Sequence, residues 1–363
     1  MKVVINRSDA IGDLILTTPI ARAIKYFHPQ AEITFLISKK CEDVVKSTIA
    51  IDRSITISSD SLFSQVARLW KFFKREKPDI YLHLGGKQWP NILAFFAGIP
   101  VRGGLRSKWQ TFVFLNKAVR QKRSLVEMHE IQYNLQVLAP LSISVDQLRA
   151  EDYLPHFNLS EVHRTQDYLQ FVEALPEGQR NFRYLVVVHP GMTGHTLNWP
   201  ESNYASLMEK LYQIYGEQVL ILLSHTPSDQ RYIDGVKLAL GESAAVLSRI
   251  HFFDGTKKGL MHYMHVLSHA NIFLGPSTGT THIANILGVK TIGIYSPIKV
   301  QSAKRWGPAN QDGQRLKIHV PEVICGERFQ CAGESCPYFP CMGVISVDEV
   351  MQSINEFLKS EIL

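Results

Sequence analysis

The stretch that most constrains the fold of this chain is Ala270–Pro297, where two short apolar runs enclose a segment with helical spacing. Residues 272–274 are apolar and lead into a Gly-Pro pair, residues 278–287 place apolar side chains at helical intervals, and residues 290–295 are apolar again. This order predicts a strand, a tight turn, a helix and a second strand. Repetition of such units is typical of a parallel sheet covered by helices.

The turn before this predicted helix is made of small and hydroxyl residues, Ser277, Thr278, Gly279 and Thr280. At a helix start the backbone N–H groups lack partners within the helix, and the positive end of the helix dipole attracts anions. Gly279 allows a ligand to approach the backbone, and the hydroxyls add hydrogen-bond donors. We interpret the turn as a diphosphate pocket. The alternative is that Ser277 or Thr278 only caps the helix.

Length and composition describe a globular protein with two domains. A chain of 363 residues exceeds one ordinary core and suits two domains of roughly 150 to 200 residues. No apolar run approaches the roughly 18 residues that a membrane-spanning helix needs, and the N-terminal residues lead directly into a predicted strand without a signal peptide. These features predict a cytoplasmic protein.

The positive charge is unevenly distributed. The formal net charge is +6, and residues 102–123 carry seven Lys or Arg and no acid, with Trp109 and Phe112 among them. Such a stretch suits anionic lipid, an acidic substrate or nucleic acid, and the plainer alternative is a solvated basic loop. Nucleic acid is the weakest of these readings, because no nucleic-acid motif accompanies the charge.

Two groups of residues have metal-binding side chains. The pair His265 and His269 lies on one face of a predicted helix, but no H-E-x-x-H glutamate accompanies it, which favours ordinary polar-face histidines. The spacing of the four C-terminal cysteines differs from the paired C-x2–4-C arrangement of structural zinc sites, so reduced thiols are favoured and metal binding is left open. These cysteines are Cys325, Cys331, Cys336 and Cys341.

The N-terminal loop has the second notable turn. Val3–Ile5 predicts a buried strand, the loop from Arg7 to Asp13 follows it, and apolar residues at helical spacing come next. Gly12 removes a side chain where a ligand could approach. Asp13 is either a structural cap of the helix or a general base beyond the carboxyl end of the strand.

Apolar runs alternate with amphipathic segments through both halves of the chain, which predicts parallel sheets wound with helices. Further predicted strands lie at residues 33–37, 55–57, 80–84, 184–188 and 219–223. Predicted helices lie at residues 42–50, 61–75, 91–97, 127–138, 201–214, 226–240, 257–269 and 346–360. The polar segment 141–160 is the expected boundary. Asp13 then belongs to one domain and the loops 189–200 and 275–282 belong to the other, which suggests a cleft between two α/β domains.

These loops together resemble glycosyltransferase family 9, the lipopolysaccharide heptosyltransferases. The residues that carry the resemblance in the first half are Arg7, Asp9, Ile11-Gly12-Asp13, Thr17-Thr18-Pro19, Ala97–Arg102, Gly104, His129-Glu130 and Leu138-Ala139-Pro140. Those in the second half are His189-Pro190-Gly191, Asn198-Trp199-Pro200, Ser277-Thr278-Gly279, His282, Cys341-Met342 and Ile345-Ser346-Val347. The resemblance implies the GT-B architecture, in which two Rossmann-like domains with parallel sheets face across a cleft.

The resemblance also implies that the two domains bind different substrates. Residues 1–155 would form the acceptor-binding domain, residues 156–345 the nucleotide-sugar-binding domain, and residues 346–363 a C-terminal helix that could pack back on the first domain. The implied reaction is inverting transfer of a sugar from a nucleotide diphosphate donor, in this family usually ADP-heptose. The acceptor would be the lipopolysaccharide core or a similar lipid-linked molecule at the inner face of the membrane.

By resemblance, Asp13 is the catalytic base, and the helix that begins at Thr278 stabilises the leaving diphosphate, so that no metal is required. The candidate donor contacts are Thr193, Ser277, Thr278, Gly279, Thr280 and His282. The candidate acceptor or membrane contacts are Gly12, Arg102, Arg106 and Lys108. No nucleic-acid partner is implied.

Two positions depart from the family pattern. Heptosyltransferases usually have an acid where this chain has Ser277, and commonly a lysine where it has Leu197. These changes alter what the donor pocket can recognise. The same reaction with a different nucleotide sugar or a protein acceptor therefore stays open, as does a noncatalytic nucleotide-sugar-binding module, although the presence of Asp13 favours an enzyme.

Overall fold

A computed structural model describes residues 1–57, 61–194, 196–326 and 329–359. The chain separates into two compact units, Met1–Asn158 and Leu159–Leu363. Each unit contains its own parallel sheet. No helix among these described residues is long and apolar enough to cross a lipid bilayer.

The first unit is built on a six-stranded parallel sheet with the strand order β3-β2-β1-β4-β5-β6. The strands are β1 (Lys2–Arg7), β2 (Glu32–Ile37), β3 (Arg53–Thr56), β4 (Ile80–Gly85), β5 (Val101–Leu105) and β6 (Lys117–Val119). The helices are α1 (Ile11–Ile15), α2 (Pro19–Phe27), α3 (Glu42–Ser47), α4 (Leu62–Glu76), α5 (Trp89–Phe96), α6 (Trp109–Phe114), α7 (Glu130–Leu135) and α8 (Ala150–Tyr153).

The second unit has a six-stranded parallel sheet in the order β12-β11-β10-β7-β8-β9. Its strands are β7 (Tyr184–Val188), β8 (Val219–His225), β9 (Ile250–Asp254), β10 (Ile272–Pro276), β11 (Lys290–Ile294) and β12 (Leu316–His319). Its helices are α9 (Glu161–Ala174), α10 (Glu201–Tyr215), α11 (Gln230–Leu240), α12 (Ala244–Leu247), α13 (Leu260–Leu267), α14 (Gly279–Ile286), α15 (Ala303–Trp306) and α16 (Val347–Lys359).

The central strands are apolar because helices cover both faces of each sheet. All five residues of β7 and all five of β10 are buried, as are five of the six residues of β1. Strands of parallel sheets buried on both faces are continuous apolar runs, and those runs made these strands predictable. The two sheets confirm the predicted pair of Rossmann-like domains.

The strand order fixes where each unit can bind a ligand. In both sheets the order runs outward in opposite directions from two central neighbours, β1 and β4 in the first unit and β7 and β10 in the second. Ligands of open α/β sheets bind beyond the carboxyl ends of the strands at such a switch point. Ligands are therefore expected at the loops that follow these four strands.

The final helix belongs to the core of the second unit. It contacts α10 and β11, and its buried apolar residues join the same cluster as the sheet. Ser346 caps the start of this helix, because the Glu349 N–H donates to Ser346 Oγ at 3.1 Å. Of the residues predicted in this segment, 360–363 lie outside the described part of the chain.

Several elements were absent from the sequence prediction. The basic stretch 102–123 contains part of β5 together with α6 and β6 rather than only a solvated loop, and β9 and β12 were also missed. β5 has no alternating pattern because it contains Gly103 and Gly104. A Cβ on Gly104 would lie 2.3 Å from the His83 carbonyl oxygen, and one on Gly103 would lie 2.8 Å from Leu82 Cδ2. The glycines allow β5 to approach β4 closely, and they hide the strand from a search for apolar periodicity.

Candidate active site

The first unit concentrates charge at the carboxyl end of β1. Arg7 is the last residue of β1 and is only 4% exposed. Its guanidinium forms an ion pair with Asp13, donates to the Leu84 carbonyl, and places Nε 3.0 Å from Asp9 Oδ1. The Asp13 side chain lies in the first turn of α1 and is 25% exposed. The structure thus holds a partly accessible carboxylate against a buried cation at the predicted position.

Two consecutive glycines make room for this arrangement. A Cβ on Gly85 would lie 2.7 Å from Asp9 Oδ2 and 2.9 Å from Arg7 Nη1. Gly86 has φ +81°, and a Cβ there would lie 2.3 Å from Ser8 Oγ. These two glycines were not among the residues predicted from the sequence. A Gly-Gly pair after a buried strand nevertheless indicates that another chain segment approaches the backbone closely.

The charges in this group influence one another. Burial acts to lower the pKa of Arg7, but the carboxylates of Asp13, Asp9 and Glu130 outweigh it and raise that pKa. Burial raises the pKa of Asp9, the Arg7 guanidinium opposes that rise, and the Asp13 carboxylate adds to it. Arg7 therefore remains a cation.

The helix that carries Asp13 is fixed by its neighbours. Thr17 Oγ1 donates to the Asp13 carbonyl at 2.8 Å, and Asn134 Nδ2 donates to the Leu16 carbonyl at 2.9 Å. The guanidinium of Arg123 pairs with buried Glu130 and donates to Asn134 Oδ1 at 3.1 Å. These contacts fix the backbone on which Gly12 and Asp13 lie. Gly12 itself accepts a backbone hydrogen bond from Leu16.

His83 lies on β4 next to this group and was not selected from the sequence. It is 3% exposed, and its ring nitrogens lie 3.0 Å from Asn6 Nδ2 and from Gln88 Nε2. Burial, assisted by the positive charges of Arg7 and Lys108, lowers the pKa of His83 to about 3. The imidazole is therefore neutral near neutral pH. The influence of Lys108 also shows that this predicted residue lies near the same edge of the sheet.

The other two predicted acceptor or membrane residues have partners within their own region. Arg102 Nε donates to the Phe114 carbonyl at 2.8 Å, and its Nη1 donates to the Ile99 carbonyl. Burial lowers the pKa of the Arg102 guanidinium. Arg106 places Cζ 5.4 Å from the centre of the Phe112 ring. Arg102 therefore joins neighbouring chain segments, whereas Arg106 lies on an aromatic surface.

In the second unit, the loop after β7 starts from a buried histidine. His189 Nδ1 lies 3.0 Å from Ser224 Oγ, which lies 3.3 Å from the Tyr263 hydroxyl. Burial lowers the pKa of His189, while Asp229 opposes that effect. A Cβ on Gly191 would lie only 2.2 Å from Asp229 Cγ. This glycine is therefore required by a buried carboxylate rather than by a ligand.

The same loop is anchored farther along by the Asn-Trp-Pro sequence. Asn198 Nδ2 donates to the Pro190 carbonyl at 2.7 Å, and Trp199 Nε1 donates to the Ile345 carbonyl at 2.9 Å. Leu197 packs against the apolar core. Between these anchors Thr193 is exposed, and His195 lies outside the described residues. The loop is thus held at both ends, with the predicted donor contact Thr193 on its exposed part.

The turn after β10 matches the prediction most closely. Thr278 is the N-cap of α14, and its side chain makes no capping hydrogen bond. Thr278 Oγ1 instead lies 2.8 Å from Thr280 Oγ1, while Thr281 Oγ1 donates to the Pro276 carbonyl at 2.5 Å. The N–H groups at the first turn of an α-helix have no partner within the helix, so this end of α14 suits an anion.

Ser277 and His282 differ from the other predicted donor contacts. Both are buried, and Ser277 forms a side-chain hydrogen bond with Tyr295. Gly275, at the carboxyl end of β10, has a Cβ position 3.0 Å from the His189 carbonyl oxygen. The loops after β7 and β10 therefore meet at the switch point of the sheet, with Thr278, Gly279 and Thr280 at its half-exposed edge.

A cation not selected from the sequence lies beside the first donor loop. Arg231 is near the start of α11, and its Nη2 lies 3.8 Å from the Cβ position of Gly194. The guanidinium also stacks on the Tyr232 ring, with Cζ 4.4 Å from the ring centre. Its charge lies near the loop that lacks the family lysine because position 197 is leucine. No sequence signal links the two, since α11 follows a different strand.

Among the residues that the structure describes, no three His, Cys, Asp or Glu side chains lie close enough together to hold a metal ion. His265 Nδ1 lies 2.6 Å from Asp167 Oδ2, and His262 Nδ1 lies 3.5 Å from the same oxygen. His269 stacks on the Tyr168 ring at 4.2 Å. Cys331, Cys336 and Cys341 carry free thiols. The three histidines thus contact side chains of α9, so they pack one helix against another.

Comparison with known proteins agrees with this geometry. Residues 66–331 match the model of glycosyltransferase family 9 (heptosyltransferase). A Haemophilus influenzae protein provisionally assigned as a glycosyltransferase is 24% identical over 375 aligned positions, which cover 99% of this chain and 97% of that protein.

Solved structures share the fold over the whole length. E. coli ADP-heptose lipopolysaccharide heptosyltransferase II aligns with a TM-score of 0.78 and 18% identity over 100% of both chains. E. coli heptosyltransferase WaaC with ADP aligns with a TM-score of 0.67 and 16% identity over 98% of this chain and 100% of that one. These structures confirm the GT-B fold. Because the family model matches more than half of its length, the chain belongs to glycosyltransferase family 9.

Proposed function

We propose that this glycosyltransferase catalyses inverting transfer of a sugar, with ADP-heptose as the leading donor, and that Asp13 is the general base. The observation that supports the proposal is the partly exposed Asp13 carboxylate, paired with buried Arg7 at the switch point of the first sheet. The structure of the relative WaaC contains ADP, which supports an adenine nucleotide as the donor.

The reaction requires a base and an anion site. Asp13 takes the proton of an acceptor hydroxyl as that oxygen forms a bond to the anomeric carbon of the sugar. On the opposite face, the bond from that carbon to the diphosphate oxygen breaks, and the nucleotide diphosphate leaves with the electron pair. The N-terminus of α14, with Thr278, Gly279 and Thr280, stabilises the negative charge on the leaving group. This stabilisation makes a metal ion unnecessary in the proposed mechanism.

Arg7 has a positioning role. Its guanidinium is buried and fixed by the Leu84 carbonyl, so it holds the carboxylate in one orientation. Thr193 and His282 complete the proposed donor contacts, and Arg231 is proposed as the cation that replaces the missing lysine. The Ser277 side chain is hydrogen-bonded to Tyr295. We therefore propose that Ser277 contacts the donor through the backbone of the turn.

The proposed acceptor is a lipopolysaccharide core or a similar lipid-linked molecule, reached from the cytoplasm at the inner face of the membrane. Gly12, Arg102, Arg106 and Lys108 are the proposed acceptor or membrane contacts. A second candidate, the same reaction with another nucleotide sugar or a protein acceptor, is favoured by one observation. Position 197 is leucine and packs against the core, so the usual lysine is absent from this loop.

The test uses Asp13→Asn with Asp9→Asn as the matched control, since both carboxylates pair with Arg7 and both variants remove one charge. Release of nucleotide diphosphate is measured with a panel of nucleotide sugars and lipopolysaccharide-core acceptors, and donor binding is measured by calorimetry. Loss of a general base typically lowers the rate by about 10² to 10⁴-fold, with donor affinity nearly unchanged.

Three results would contradict parts of the proposal. Equal turnover in Asp13→Asn and the wild-type protein would refute the base assignment. Equal losses in both variants would assign the effect to the Arg7 charge balance. Donor binding without turnover on any acceptor of the panel would favour the noncatalytic alternative.

A further inference from the structure

The net positive charge of this chain comes from one segment of the first unit. Residues 61–123 contain 13 Lys or Arg and two acids, which gives +11. The whole chain contains 39 Lys or Arg and 33 acids, so the remainder has 26 basic and 31 acidic residues, or −5. The net charge of this segment is larger than the net charge of the whole chain, which distinguishes the segment from an ordinary solvated surface.

Three helices of this segment adjoin one another. They are α4, α5 and α6, and α5 contacts both of the other helices. Four of the 13 Lys or Arg lie on α4, and the others lie outside these helices. Phe95 of α5 packs against Phe114 of α6 with ring centres 5.5 Å apart, and Phe114 lies 6.3 Å from Trp109. We refer to α4, α5 and α6 as the three-helix face.

Large apolar side chains project from every helix of this face. Phe63 of α4 is 84% exposed, Phe96 of α5 is 63% exposed, and Trp109 and Phe112 of α6 are 65% and 52% exposed. Single exposed apolar residues are common, but exposed aromatic side chains on three adjoining helices need a reason.

Cations and aromatic rings alternate across the three-helix face. Lys74 Nζ lies 4.7 Å from the centre of the Trp70 ring, and Arg102 Cζ lies 5.2 Å from that of Phe95. The two acids of the segment have partners at one end of α4. Glu76 pairs with the Lys2 ammonium at 2.8 Å and with its neighbour Arg75 at 3.0 Å, and Asp79 accepts from the Lys2 backbone N–H at 2.7 Å. Lys71 and Lys74 of α4 are both exposed.

We propose that the three-helix face docks on an anionic lipid bilayer. A surface that combines Lys and Arg with exposed Trp and Phe fits the bilayer interface, where the cations meet lipid phosphates and the rings enter the acyl boundary. Nucleic acid satisfies the cations but provides no apolar layer for aromatic residues projecting from three helices. The inference extends the membrane contact of the proposed function from Arg102, Arg106 and Lys108 to α4 and α5.

The experiment is co-sedimentation of the full chain with phosphatidylcholine vesicles, with and without phosphatidylglycerol. The charge variant is Lys71→Glu with Lys74→Glu, and the control is Lys237→Glu with Lys304→Glu, which makes the same change of net charge at exposed lysines of the second unit. Affinity for the anionic vesicles should fall at least about tenfold in the charge variant and little in the control. Added salt should weaken wild-type binding.

A second variant tests the aromatic residues. Phe63→Ser with Trp109→Ser keeps every charge and changes only exposed side chains, so a loss of vesicle affinity without loss of thermal stability supports insertion of the rings. The proposal is overturned if neutral vesicles bind as well as anionic ones, if the control loses as much as the charge variant, or if duplex DNA outcompetes anionic vesicles. The co-sedimentation assay contains no nucleotide sugar, and Asp13→Asn should bind vesicles like the wild-type protein. The outcome is therefore independent of the transfer reaction.

Discussion

The neutral buried histidine of the first unit leads to a quantitative prediction about acid stability. Burial lowers the pKa of His83 to about 3 in the folded protein, whereas an unfolded histidine titrates near about 6.5. Between these two values the unfolded chain binds a proton that the folded chain does not. The stabilising contribution is therefore present above the unfolded pKa and is lost as pH falls toward the folded value.

The size of the effect follows from the two pKa values. Linkage gives a loss of about 2.5 kcal/mol in the free energy of unfolding between about pH 7 and about pH 4.5 for this one group. The variant His83→Gln keeps a side chain that can hydrogen-bond Asn6 and Gln88 but removes the titration. The difference in stability between wild type and variant should shrink by that amount over the same range.

The assay is amide hydrogen exchange of peptides from β1 and β4, which reports on the first unit alone. Wild type and variant are compared at each pH, so the intrinsic pH dependence of exchange cancels. His28→Gln is the control, because it removes an exposed imidazole of the same unit. A protection difference that stays constant across the range would refute the reasoning that His83 is uncharged in the folded unit.

Two further predictions concern the donor loops. Gly191→Ala forces a Cβ against Asp229 and should lower the free energy of unfolding by about 1 to 3 kcal/mol in thermal denaturation. The control Gly178→Ala has open space around it and should stay near the wild type, and equal behaviour would contradict the close approach. Arg231→Gln should weaken ADP binding about two- to fivefold in calorimetry, as expected for an exposed cation, and leave adenosine binding unchanged. Equal ADP affinities would remove Arg231 from the donor site.

The fold was predictable where the sequence reports burial directly. Strands β7 and β10 are continuous apolar runs, and the helical spacing after Thr278 marks the start of α14 within one residue. β5 could not be found in this way, because Gly103 and Gly104 provide close contact rather than apolar surface. Short strands at the outer part of the sheet, such as β12, have too few residues for a pattern to be recognised.

The candidate site was predictable only in part. Asp13 and the turn at Thr278 each lie within one strand–loop–helix unit, so local sequence contains their whole context. The ion-pair partner of Asp13, Arg7, is held by contacts from elsewhere in the chain. Gly85 and the Leu84 carbonyl reach Arg7 because β4 pairs with β1, and a pairing over such a sequence distance leaves no local signal.

The position of α16 in the core of the second unit has a consequence for biosynthesis. The first sheet is complete once the first 158 residues have left the ribosome, and domains generally fold in the order of their synthesis. The second sheet keeps an uncovered apolar surface until α16, which follows every other described element, has been translated. Nascent chains stalled between β12 and α16 should therefore recruit chaperones through that surface, while their first unit is already native.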